Sequence, residues 1–96
     1  MTITLSKFGF VLTSREAGKE AFAAFAPSLV DTKVDEDVVI DFDGVNTISP
    51  SWADEFLTPL FEKYGKRLRL RHTDNPSVVP TLKLLEKIHG FKFEIA

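Results

Sequence analysis

Residues 38–64 read VVIDFDGVNTISPSWADEFLTPLFEKY, and the fold follows from how this stretch divides. Val38, Ile40 and Phe42 alternate with Val39, Asp41 and Asp43, the period-2 pattern of a strand with one buried face. Asp43-Gly44 breaks the strand, because Gly44 can take the positive φ that a tight turn demands. Ser49-Pro50 fits a helix N-cap followed by its first residue, and Ser51 with Asp54 fits a second capping arrangement. Ala53, Phe56, Leu57, Leu60, Phe61 and Tyr64 then recur at helical spacing as one apolar stripe. Pro59 within the stripe predicts a kink or two short helices, and Gly65 marks the stop. A strand, a turn and an amphipathic helix form the central unit.

The flanking segments add to that unit. Ile3 and Leu5 alternate with Thr2, Thr4 and Ser6, and Phe8, Phe10 and Leu12 share a face in a second short run, giving two strands. Thr13-Ser14-Arg15-Glu16 fits a capping box opening a helix whose face carries Gly18, Ala21, Phe22, Phe25 and Leu29. Gly18 on that face predicts a close approach to a sheet, and Pro27 predicts an irregular last turn near residues 26–30. Residues 31–37 (DTKVDED) read as a solvated loop. Leu68 and Leu70, alternating with Arg67, Arg69 and Arg71, predict a further strand. From about Ser77 a third helix carries Val78, Leu82, Leu85 and Ile88 inward and ends at Gly90. Phe91, Phe93 and Ile95 alternate in a last strand. The expected order is ββαβαβαβ, an α/β two-layer sandwich with a mixed sheet of about five strands and three helices on one face. Every strand alternates, so the opposite face is expected to be wet, with the arginines of the fourth strand pairing Asp41 and Asp43.

Composition narrows the function classes. Ninety-six residues, 44% of them hydrophobic and including nine phenylalanines, suit one domain, 1–96, with a substantial core. A formal charge of −2 favours neither nucleic acid nor an anionic membrane. Without cysteine there is no disulfide, thiol catalysis or cysteine-ligated zinc. The N-terminus lacks a signal-peptide pattern and no apolar run suits a membrane span, so a cytoplasmic protein is expected. His72 and His89 fall on different elements without ligand spacing, and neither a metal nor another cofactor is expected. The basic residues Lys63, Lys66, Arg67, Arg69 and Arg71 have no interleaved aromatics and read as a solvated face.

Two resemblances compete over the central stretch. Val38–Val45, VVIDFDGV, resembles the nucleophile motif hhhDxDG[TV] of haloacid-dehalogenase-like phosphatases. That resemblance implies a magnesium-dependent phosphatase or phosphotransferase with Asp41 attacking phosphorus and Asp43 moving protons. The surrounding chain does not supply that family's larger domain or its late acidic motif. Asp41-Phe42-Asp43-Gly44-Val45, Ile48-Ser49 and Ser51-Trp52-Ala53-Asp54-Glu55-Phe56 together resemble the signature of STAS domains, closest to the STAS-like family of unknown function. Thr13-Ser14-Arg15-Glu16-Ala17 resembles the same family's S-R-E-A segment.

The STAS resemblance implies a non-enzymatic, regulatory interaction module of the anti-sigma factor antagonist type. Its implied partner is a histidine-kinase-type (GHKL) ATPase or an anti-sigma factor, and its implied oligomeric state is monomer or weak dimer. Phosphorylation in that class falls at the start of the helix after the central strand, here Ser51, with Ser49 as neighbour. Antagonists carry D-S-[ST]-G at that turn where this chain has Ser49-Pro50-Ser51-Trp52, and helix capping is the other reading of both serines. The expected partner-binding residues are Ser49, Ser51, Trp52, Asp54 and Glu55. Trp52 lies at the border of the helix stripe, either as half-buried packing or as a partner contact.

Overall fold

In the computed structural model, which describes residues 1–33 and 35–96, the expected strand, turn and helix occupy the middle of the chain. Val34, inside the expected 31–37 loop, lies outside the described residues. Strand β3 (Val38–Asp41) runs into helix α2 (Pro50–Tyr64), which continues as one helix through Pro59. Proline leaves the carbonyl one turn earlier, that of Glu55, without its helical donor. Strand β1 (Thr2–Thr4), β5 (Leu68–Leu70) and β6 (Glu94–Ile95) join β3 in a four-stranded sheet ordered β1-β3-β5-β6. Strands β2 (Val11–Leu12) and β4 (Thr47–Ile48) form a separate two-stranded sheet. Helices α1 (Arg15–Phe25) and α3 (Val78–His89) complete the α/β fold.

The three expected helices are present, whereas the strands divide differently from one mixed sheet of about five. Every pairing is parallel: Ile3 opposite Ile40, Ile40 opposite Leu70, and Leu70 opposite Ile95. Each step across the main sheet is made through a helix, and such a crossover returns the chain in the same direction. The expected second strand does not fold back on the first. Residues Leu5–Phe8 form a 3-10 turn, and Gly9 follows at φ 133°. That turn breaks the alternation of Phe8, Phe10 and Leu12, leaving Phe10 65% exposed, and carries β2 to its partner β4.

Alternation correctly separates the two faces of the main sheet. Ile3, Val38, Ile40, Leu68 and Leu70 are buried beneath the helices, while Thr2, Arg69 and Arg71 are exposed on the other face. One hydrophobic core holds the inner strand residues together with Trp52, Ala53, Phe56, Leu57 and Leu60 of α2. Helix α3 differs from expectation at its last turn, where Ile88 is exposed, and in its first, where Thr81 is buried in the inner stripe. The Thr81 hydroxyl donates to the Ile48 carbonyl at 3.3 Å, which satisfies its burial.

Gly18 does mark a close approach, but to a helix and not to the sheet. A Cβ on Gly18 would lie 2.6 Å from the Trp52 carbonyl oxygen and 2.9 Å from the Trp52 Cα. The α1–α2 crossing therefore depends on a bare backbone at that position. The irregular end expected after α1 is a 3-10 turn, Ala26–Leu29. Among the described residues, no helix is long and apolar enough to cross a membrane.

Candidate functional site

The short β2–β4 ladder places the helix starts together. Leu12 pairs with Ile48, and the Ser49 N–H donates to the Leu12 carbonyl at 2.9 Å. The Ile48 N–H donates to the Ser77 hydroxyl at 3.1 Å, which adds the start of α3. Ser14, not Thr13, caps α1, its hydroxyl accepting from the Ala17 N–H at 3.1 Å. Its φ of 73° is positive although it is not a glycine, a strain of order 1–3 kcal/mol that the cap bond helps offset.

On α2 the two candidate serines have different jobs. Ser49 is the N-cap, accepting from the Trp52 N–H at 3.3 Å, with Pro50 at the first helical position as expected. Ser51 lies inside the first turn, half-buried, and its hydroxyl has no hydrogen-bond partner among the described residues. The second capping arrangement, Ser51 with Asp54, does not form, because Ser49 already caps the helix and Asp54 turns to other partners.

Those partners join all three helices. Asp54 Oδ1 accepts from the Thr58 hydroxyl at 2.8 Å and lies 2.7 Å from His89 Nε2 at the end of α3. Arg15 Nη1, at the start of α1, donates to Asp54 Oδ2 and to Glu55 Oε1, each at 3.0 Å. Partial burial works to raise the Asp54 carboxyl, but hydrogen bonds from Thr58, His89 and Arg15 outweigh it and hold the group below its ordinary value. Glu55 and Asp54 in turn raise the Arg15 guanidinium. The two segments that carry the STAS resemblance, around Arg15 and around Asp54, therefore meet as an ion-paired clamp.

Of the expected partner-binding residues, Ser49, Ser51, Asp54 and Glu55 gather at the start of α2. Trp52 departs from the expectation of a partner contact. It is 2% exposed, stacked on Phe56 with centroids 5.0 Å apart, and offers no surface to a partner. Helical angle put it at the stripe border, but Phe8 from the 3-10 turn and Gly18 from α1 close over it. Arg15, Thr58 and His89 were not assigned to the site from sequence. Arg15 sat within the S-R-E-A segment, which was the one available signal; the His89 contact spans 35 positions and had none.

Asp41 and Asp43 form a turn. Asp41 Oδ1 accepts from the Asp43 N–H at 3.0 Å, and Arg71 Nη1 donates to Asp41 Oδ2 at 3.3 Å. The expected arginine pairing thus holds for Asp41, through Arg71. Among the described residues, no three histidine, aspartate or glutamate side chains come together in a group suited to a metal. The remaining basic residues disperse, with Lys63 and Arg67 over the Tyr64 ring at 5.5 and 5.2 Å.

Parallel strands, three helices over one sheet face and a motif-bearing helix start after the central strand define an α/β domain of the STAS-like type. The model of the family described as "STAS-like domain of unknown function (DUF4325)" matches residues 17–78, more than half the chain, and the chain belongs to that family. No curated protein and no solved structure matches it.

Proposed function

We propose that this chain is a non-enzymatic regulatory module that binds a protein partner through the start of α2, residues 49–56, and that phosphorylation of Ser51 switches the binding. The observation that carries this reading is the uncommitted Ser51 hydroxyl in the first turn of a helix capped independently by Ser49. A phosphate there leaves the cap in place and lies near the positive end of the helix. It adds about −1.5 to −2 charges at neutral pH, one turn from Asp54 and Glu55 and on the side of α2 that meets Arg15. Such a change alters the local field enough to reject a partner that bound the unmodified surface. Ser49 is the weaker acceptor because its hydroxyl already serves the helix.

The partner class, a histidine-kinase-type ATPase or an anti-sigma factor in the cytoplasm, is taken from the resemblance of residues 41–56 to STAS domains of the antagonist type. Purification of the tagged chain from its native cells, with mass spectrometry of bound proteins, tests this. Wild type and S51A are expected to recover the same ATPase or anti-sigma factor. S51D should recover at least about fivefold less, corresponding to about 1 kcal/mol. Equal recovery by S51D would remove the switch, and recovery of neither class would remove the partner assignment.

A further inference from the structure

We propose that the cleft between α3 and the β5–β6 edge binds a small carboxylate with an apolar body, about benzoate in size. The cleft has a volume of about 240 Å³. It opens where β5 and β6 end, between Arg71 and Ile95. This site is separate from the Ser49–Glu55 helix start and does not depend on the function proposed for it.

The lining selects the ligand class. Leu82 and Phe93 form a buried apolar floor, and Val79 and Ile95 leave 42% and 53% of their surface open beside it. The polar groups left over can each donate a hydrogen bond. Lys83 and His72 have no partner among the described residues. The Thr73 hydroxyl accepts from the Asn75 N–H at 3.1 Å, which leaves its own proton to give. Arg71 borders the mouth of the cleft, with Nη1 held by Asp41 at 3.3 Å. The one carboxylate in the lining, Glu86, accepts from the Phe93 N–H through Oε2 at 2.8 Å, and its charge is set against that of Lys83 one turn before it. An adjoining groove shares Lys83 and Glu86 and adds Lys87 and Lys92, so positive charge exceeds negative there and attracts an anion.

Size fits the same class. An apolar cavity of roughly 150 Å³ accommodates benzene, so the cleft has room for one ring with a carboxylate directed to the Lys83 rim. An apolar floor with a few convergent polar groups is the usual build of a small-molecule site.

Titration of the ¹⁵N-labelled chain with sodium benzoate, and separately with benzyl alcohol, followed by amide shifts, tests the assignment. Benzoate is expected to give saturable shifts at Val79, Lys83, Phe93 and Ile95, with a Kd of about 1 mM. Benzyl alcohol should bind at least about tenfold more weakly, because it lacks the charge. K83Q should weaken benzoate about fivefold and V79W should abolish its binding. Both positions are exposed, and unchanged thermal midpoints will show that the variants fold. The proposal is overturned by no saturable shift up to about 20 mM, by equal binding of the two probes, or by folded K83Q and V79W chains that bind benzoate as wild type does.

Discussion

Asp54 is the residue on which the three helices converge, accepting from Thr58 and Arg15 and lying 2.7 Å from His89. Its carboxyl is held below the ordinary value of 3.8, so the folded state binds that proton less readily than the unfolded chain. The resulting stabilisation is complete above the unfolded value and is lost as pH falls through the folded one. D54N should therefore lower stability by about 1–2 kcal/mol at pH 7, and the gap to wild type should close near pH 2, as measured by thermal denaturation at both pH values. A gap that persists in acid would mean that the loss comes from shape and not from charge. The two serines separate by the same kind of measurement. S49A removes a cap and should cost about 1 kcal/mol. S51A should stay within about 0.5 kcal/mol of wild type, since no hydrogen bond among the described residues depends on that hydroxyl.

At the scale of elements, α1 and α2 start side by side because β2 and β4 pair, and they pack closely because Gly18 has no side chain. G18A gains about 1 kcal/mol of helix propensity but drives a methyl into the Trp52 backbone, which cannot retreat without moving α2. A net loss of about 2 kcal/mol in chemical denaturation is expected, and a more stable variant would show that the two helices can separate freely. The sequence made the helices readable because their stripes are long: the run from Ala53 to Tyr64 and the Ser49-Pro50 start both appear in the structure. It made the strand faces readable because period-2 alternation is local. It did not reveal that β2 leaves the main sheet, because Gly9 breaks the pattern through a backbone angle and not through residue polarity. Ile88 departs from the inner stripe for a different reason. His89, one position on, turns toward Asp54 and the last turn of α3 exposes its neighbour.

Across the whole molecule, the parallel main sheet is covered on one face only. Parallel sheets are generally enclosed on both faces, but here short strands place Thr2, Asp41, Arg69 and Glu94 outward, with Val39 as the apolar member of that face. The helix layer and the starts of α1, α2 and α3 are thereby left as the structured surface around one end of the domain. The candidate site was legible in part. Ser49, Ser51, Asp54 and Glu55 lie in one continuous segment that its motif exposes. Trp52 was ambiguous, because its burial is decided by Phe8 and α1 and not by its own helix. Arg15 and His89 were hidden because only folding brings positions 15, 54 and 89 together. The central claim is that the start of α2 is the working surface, and amide hydrogen exchange of the chain alone and with its recovered partner tests it most directly. Protection on binding is predicted at residues 49–56 and the adjoining start of α1; protection confined to the outer sheet face or to the β5–β6 edge, with residues 49–56 unchanged, would contradict it.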